Sequence, residues 1–125
     1  MKVLIDTCGW IEWLTDGPLA ARFALYLGTP AEVVVPTIVQ YELHKWICRE
    51  RDLVTAAEVI GFTEEGEVIP LDTPLALLAS KVATTHCLPM ADAVVYATAL
   101  HSAVDLVTCD AHFEALPGVT YFSRS

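Results

Sequence analysis

Short apolar runs alternate along this chain with longer stretches of helical period. "KVLI" (2–5) is a continuous apolar run ending at Asp6, as a strand buried in a parallel sheet reads. "EVVVP" (32–36) predicts the next strand, stopped by Pro36, and "VDLVT" (104–108) another. "EVIPL" (67–71) is weaker, and Pro70 assigns it to an edge. "VTYF" (119–122) predicts the last strand. Between them, "GWIEWLTD" predicts a short helix and "GPLAARFALYLG" a second, opened by Pro18 and closed by Gly28. Thr37 reads as the N-cap of a helix reaching about Arg51, and a further helix covers roughly 53–64. Asp72 or Thr73 caps the next, with Pro74 in its first turn and an end near Thr85. "MADAVVYATALHSA" predicts a helix that is apolar nearly all round, the mark of a buried one. Strands alternating with helices imply βαβ units. The expected fold is α/β and three-layered, a mostly parallel sheet covered on both faces. No repeat or linker divides the 125 residues, so one domain over 1–125 is expected.

Composition narrows the picture. Hydrophobic residues make up 54% of the chain, yet the uncharged apolar runs fall short of the ~18–20 residues a membrane span needs. "MKVLID" reaches an acid within six residues, so no signal peptide is expected. So much apolar surface on a small chain suggests cover by a partner or a second copy. Cys8, Cys48, Cys87 and Cys109 form no C-x-x-C pair and the four histidines are scattered, which argues against zinc and for a reducing cytoplasm. The formal net charge of −9 argues against a nucleic-acid partner, unless divalent ions reverse the balance locally.

Most of the 16 acids have plain explanations as solvated or capping residues. Four stand apart in apolar surroundings: Asp6 in "VLIDTC", Glu42 in "VQYEL", Asp92 in "MADAV" and Asp110 in "LVTCDAHF". Asp6 and Asp110 come directly after apolar strands, at the carboxyl ends where open α/β sheets build their sites. Asp92 falls in a helix's first turn, where the helix dipole favours an anion. The dipole leaves unexplained why an acid is set in a buried helix, and no Lys or Arg is a local partner for it. A metal ion would compensate it. Glu42 shares its helix side with Lys45 and Arg49, either as a surface ion network or as the rim of an acidic pocket with cations placed for substrate phosphates.

Carboxylates without His or Cys select hard ions, Mg²⁺ or Mn²⁺. Two such ions would balance four acids and clamp an in-line displacement at phosphorus. The chemistry points to metal-dependent phosphoester hydrolysis and leaves the substrate open.

"VLIDT", a Glu in the helix after the second strand, "LPMADAVVYATA" and "LVTCDAHF", in that order, resemble the PIN-domain family across essentially the whole chain, and within it the VapC toxins of toxin–antitoxin pairs. The resemblance implies a sheet order of 3-2-1-4-5 and a metal site of Asp6, Glu42, Asp92 and Asp110. It places hydroxyls of Thr7 and Thr108 beside that site. It also implies Mg²⁺- or Mn²⁺-dependent endoribonuclease activity on RNA, a homodimer, and inhibition by a VapB antitoxin whose tail fills the site. Many relatives carry a basic residue or second acid around the last Asp. Here Cys109, Ala111 and His112 flank it, so the fourth ligand rests on Asp110 alone. His112 reads first as a surface residue, with substrate contact or proton donation as the alternative. Lys45, Arg49 and Arg51 are expected to steer RNA electrostatically. Trp10, Trp13, Phe23, Tyr26 and Leu27 are expected mostly in the core, with some left for a dimer or antitoxin groove.

Rival readings are weaker. A phosphatase of the haloacid dehalogenase type wants D-x-D, and Asp6-Thr7-Cys8 lacks the second acid. A receiver domain wants an early acid pair and a late Lys. A catalytically inactive PIN-like interaction module has no use for four mutually repelling carboxylates. A PIN domain acting on DNA or in ribosome maturation stays open.

Overall fold

A computed structural model describes residues 1–124. Five parallel strands form one sheet: β1 (Val3–Ile5), β2 (Val33–Pro36), β3 (Glu67–Ile69), β4 (Asp105–Thr108) and β5 (Val119–Tyr121), in the order β3-β2-β1-β4-β5. That is the expected order, with the Pro70 strand at one edge. The sheet is flanked by six helices: α1 (Thr7–Leu14), α2 (Ala20–Leu27), α3 (Thr37–Glu50), α4 (Leu53–Thr63), α5 (Thr73–His86) and α6 (Met90–Ser102). All residues of β1 and β2 are buried, which is why both read as unbroken apolar runs.

Three helix starts differ from the sequence reading, each for a local reason. Helix α1 begins at Thr7 because Asp6 is itself the cap, its carboxylate accepting from Thr7 N. Helix α2 begins at Ala20, two residues beyond Pro18, because Glu12 fixes the entry: its Oε1 accepts from Leu19 N at 3.0 Å. A Cβ on Gly17 would lie 2.5 Å from Glu12 Oε2, so only glycine lets that buried carboxylate in. Thr37 is the first helical residue of α3 and not its cap; its hydroxyl accepts from Leu71 N at 3.3 Å, beyond edge strand β3. Asp72 caps α5 by accepting from Leu75 N at 3.0 Å.

Helix α6 is the buried helix expected: Ala93 through Ala99 are all buried, the Thr98 hydroxyl donates to Val94 O, and Tyr96 Oη donates to Pro117 O at 2.7 Å. Trp10, Phe23 and Leu27 lie in the core, whereas Trp13 and Tyr26 are only partly covered. Trp10 and Trp13 pack edge-on, and both meet Phe62 of α4. Among the described residues, no helix is long and apolar enough to cross a membrane.

Candidate functional site

The sheet order makes β1 and β4 neighbours, so the residues just beyond their carboxyl ends emerge together. Asp6 N donates to Val107 O at 3.1 Å, extending the β1–β4 ladder by one bond. The last residue of β4, the fully buried Thr108, then ties the two strand ends. Its hydroxyl donates to Asp6 Oδ2 at 2.8 Å and accepts from Asp110 N at 2.9 Å. Thr7 performs the matching task on the other side. Its amide donates to Asp6 Oδ1 at 2.8 Å, and its hydroxyl donates to Glu42 Oε1 at 2.6 Å.

Asp92 comes from the first turn of α6. Its Oδ2 lies 2.8 Å from His112 Nδ1, which is also 3.4 Å from Asp110 Oδ1. Asp110 caps a 3₁₀ turn over Ala111–Phe113, accepting from His112 N at 2.9 Å. A continuous set of contacts thus runs Glu42–Thr7–Asp6–Thr108–Asp110–His112–Asp92. Within it, ligand atoms of Asp92, Asp110 and His112 all lie within 4.8 Å of one another. Asp6 and Glu42 stand outside that tightest group, linked to it through Thr108 and Thr7.

The electrostatics show what this constellation lacks. Burial holds the Asp6 carboxyl well above the usual carboxylate range, with Cys8 and Asp92 adding to the shift and the bonds from Thr108 and Thr7 opposing it. Asp92 is raised too, first by burial and then by the charge of Asp110, against the bond from His112. His112 is raised by its hydrogen bond to Asp92 and by the two carboxylates. Each shift works in the direction that reduces negative charge in the site, the two acids and the imidazole all holding a proton more readily than the free groups do. A divalent cation would meet the same need, and the donors fit one. Ligands at right angles around an ion bound at about 2.1 Å lie about 3 Å apart. The 2.8 and 3.4 Å separations bracket that spacing. Asp6 Oδ1 accepts from Thr7 N and keeps a second acceptor position, whereas Oδ2 accepts from Thr108 and, at 3.7 Å, from the Cys8 thiol.

His112 lies at the surface, as expected, and the structure adds contacts to it. Its side chain is 61% exposed, yet its ring touches both acids, and it is the local partner that Asp92 lacked among the Lys and Arg residues. The cations of α3 have other contacts of their own: Lys45 Nζ stands 5.9 Å from the Tyr41 ring centre, and Arg49 Nε pairs with Glu50 at 3.0 Å. Sequence reasoning passed over Arg124. It lines a cavity of about 530 Å³ with Cys8, Cys109, Asp110, Ala111, Tyr121 and Ser123, and its Nη2 donates to Cys109 Sγ at 3.2 Å. The available signal was topological: the segment after β5 lies beside the segment after β4.

An α/β sheet with a carboxylate cluster gathered at its strand ends defines the class: an enzyme-like fold with a candidate divalent-metal site. The PIN domain family model matches residues 3–119, and the chain belongs to that family. The structure is similar to a toxin–antitoxin complex from Klebsiella pneumoniae, with a TM-score of 0.80 at 21% identity over 98% of this chain and 99% of that one. It is also similar to DNA-bound VapBC from Salmonella typhimurium, at TM-score 0.76 and 20% identity over 100% and 99%. Mycobacterium tuberculosis VapC20, a sarcin–ricin loop cleaving toxin, matches at TM-score 0.74 and 19% identity over 94% and 97%. No curated protein sequence matches the chain significantly.

Proposed function

We propose that this PIN domain is the toxin of a toxin–antitoxin pair, an Mg²⁺- or Mn²⁺-dependent endoribonuclease that hydrolyses RNA phosphodiesters. The observation that carries the reading is the convergence of Asp92 and Asp110 at the end of β4, with Asp6 tied to them through Thr108. The relatives in fold, two toxin–antitoxin complexes and a sarcin–ricin loop cleaving toxin, supply the biological setting. Asp92, Asp110 and Asp6 would hold the principal ion. Glu42, oriented by Thr7, assists or holds a second. The ion, when bound, supplies Lewis acidity and a water of lowered pKa for attack on phosphorus. The chain's own groups fix the carboxylates, through Thr7 and Thr108, and offer exposed cations on α3, Lys45 and Arg49, to steer the RNA backbone. The antitoxin is a VapB-type protein, and the toxin works as a homodimer in the cytoplasm.

The test is incubation of purified, partner-free protein with defined tRNAs and rRNA fragments, in Mg²⁺ or Mn²⁺ against EDTA. Discrete cuts that require metal and vanish in Asp92→Asn support the reading. A folded protein that cuts none of these RNAs under any metal favours an interaction module instead.

A further inference from the structure

His112 is the one nitrogen donor in an otherwise carboxylate cluster, and its position is not that of a passing surface side chain. Its amide is bonded to Asp110 Oδ1, and the next residue, Phe113, is fully buried, so both ends of the short turn are anchored. The ring stands on the open side of the cluster, with Nδ1 between Asp92 and Asp110. An ion entering between those acids therefore meets Nδ1. An ion bonded to both must displace the ring or take it as a ligand, and the anchored turn keeps the base of the His112 side chain beside the two acids.

We infer that His112 completes the metal centre as its nitrogen ligand through Nδ1, adding one imidazole to the carboxylates of Asp92, Asp110 and Asp6 and selecting Mn²⁺ over Mg²⁺. This rests on the reading of the acid cluster as a divalent-metal site. Mg²⁺ demands hard oxygen donors and gives up its waters reluctantly, whereas first-row transition ions accept imidazole readily. His112 Nδ1 lies 2.8 Å from Asp92 Oδ2, a separation that a proton on Nδ1 would bridge. On binding, the ring carries its proton on Nε2 and offers the Nδ1 lone pair.

Electron spin-echo spectroscopy of Mn²⁺ bound to the full chain tests this directly, because a ligated imidazole nitrogen modulates the echo. Calorimetric titration with Mn²⁺ and Mg²⁺ accompanies it, on the native protein, His112→Ala, His112→Gln and Asp92→Asn. The native chain should show nitrogen modulation and bind Mn²⁺ more tightly than Mg²⁺. His112→Ala and His112→Gln should still bind Mn²⁺, without modulation, and the preference should shrink toward parity. Asp92-dependent Mn²⁺ with no nitrogen modulation, or with modulation that survives in His112→Ala, overturns the inference and leaves the metal centre standing. No Asp92-dependent Mn²⁺ binding overturns both.

Discussion

The two halves of the site are built on opposite principles. Asp6 is 5% exposed, and each of its oxygens is held by a donor of the chain itself, Thr7 N on one and Thr108 Oγ1 on the other. Asp92 and Asp110 are more open, with side chains 19% and 32% exposed, and they face each other across an imidazole. The first half is set by folding; the second is left with charge that folding does not settle. A carboxylate capping a helix and bonded to a buried hydroxyl would be a sound structural feature by itself. Two further acids gathered near it cost stability through burial and repulsion, and the cost is accepted where a ligand is to be bound. The halves are therefore separable by mutation.

The largest effect is expected in the open half. Asp92→Asn and Asp110→Asn should bring RNA cleavage to the limit of detection while circular dichroism stays native. Melting temperatures should be equal or higher without metal, since each change removes a repelling charge. A cleaving variant would remove that residue from the site.

Thr108→Val breaks the tie between the halves with little change of shape. It removes the donor to Asp6 Oδ2 and the acceptor of Asp110 N at a buried position, which should lower stability by about 1–3 kcal/mol in chemical denaturation. It should also weaken Mn²⁺ binding by about 10–100-fold by calorimetry. Stability lost without any change in affinity would confine Thr108 to the fold.

The acidity of the site yields a pH signature. Asp6 and Asp92 hold their protons more tightly folded than unfolded, so the folded state binds more protons. Stability without metal should therefore fall as pH rises from about 4, the ordinary Asp value, through their raised folded values. His112, also raised, acts in the same direction: its contribution is full below about 6.5 and is lost as pH climbs through its folded value. Thermal melts in EDTA should show this decline, and saturating Mn²⁺ should flatten it. A melting temperature in EDTA that rises steadily over the same range would contradict the charge account.

The smallest effect belongs to the exposed cations. Lys45→Ala should leave metal binding untouched, weaken RNA binding uniformly across sequences, and lower the salt slope by about one. Unchanged RNA affinity would exclude this face of α3 from the substrate path.

Much of this was readable in the chain because burial on both faces writes strands as unbroken apolar runs. β1 and β2 are such runs, and the acids just past the ends of β1 and β4 stood out against them. Helix α6 was legible for the same reason, its buried Ala93–Ala99 surrounding the chain segment that carries Asp92. The features that escaped depend on tertiary proximity. Asp6 caps α1 while also standing in the site, and Glu12 fixes the start of α2 from seven residues away, neither of which a local pattern encodes. His112 looks like a solvated turn residue until the end of β4 and the start of α6 are brought within hydrogen-bonding distance. Arg124 lies beyond the last strand, and only the β4–β5 pairing carries it to Cys109.

Anomalous diffraction from crystals of the full chain grown or soaked in Mn²⁺ tests the central claim most directly. The account predicts a manganese peak within bonding distance of both Asp92 and Asp110, absent in Asp92→Asn. Saturating Mn²⁺ that leaves those carboxylates without a peak, or that binds only elsewhere, would contradict it.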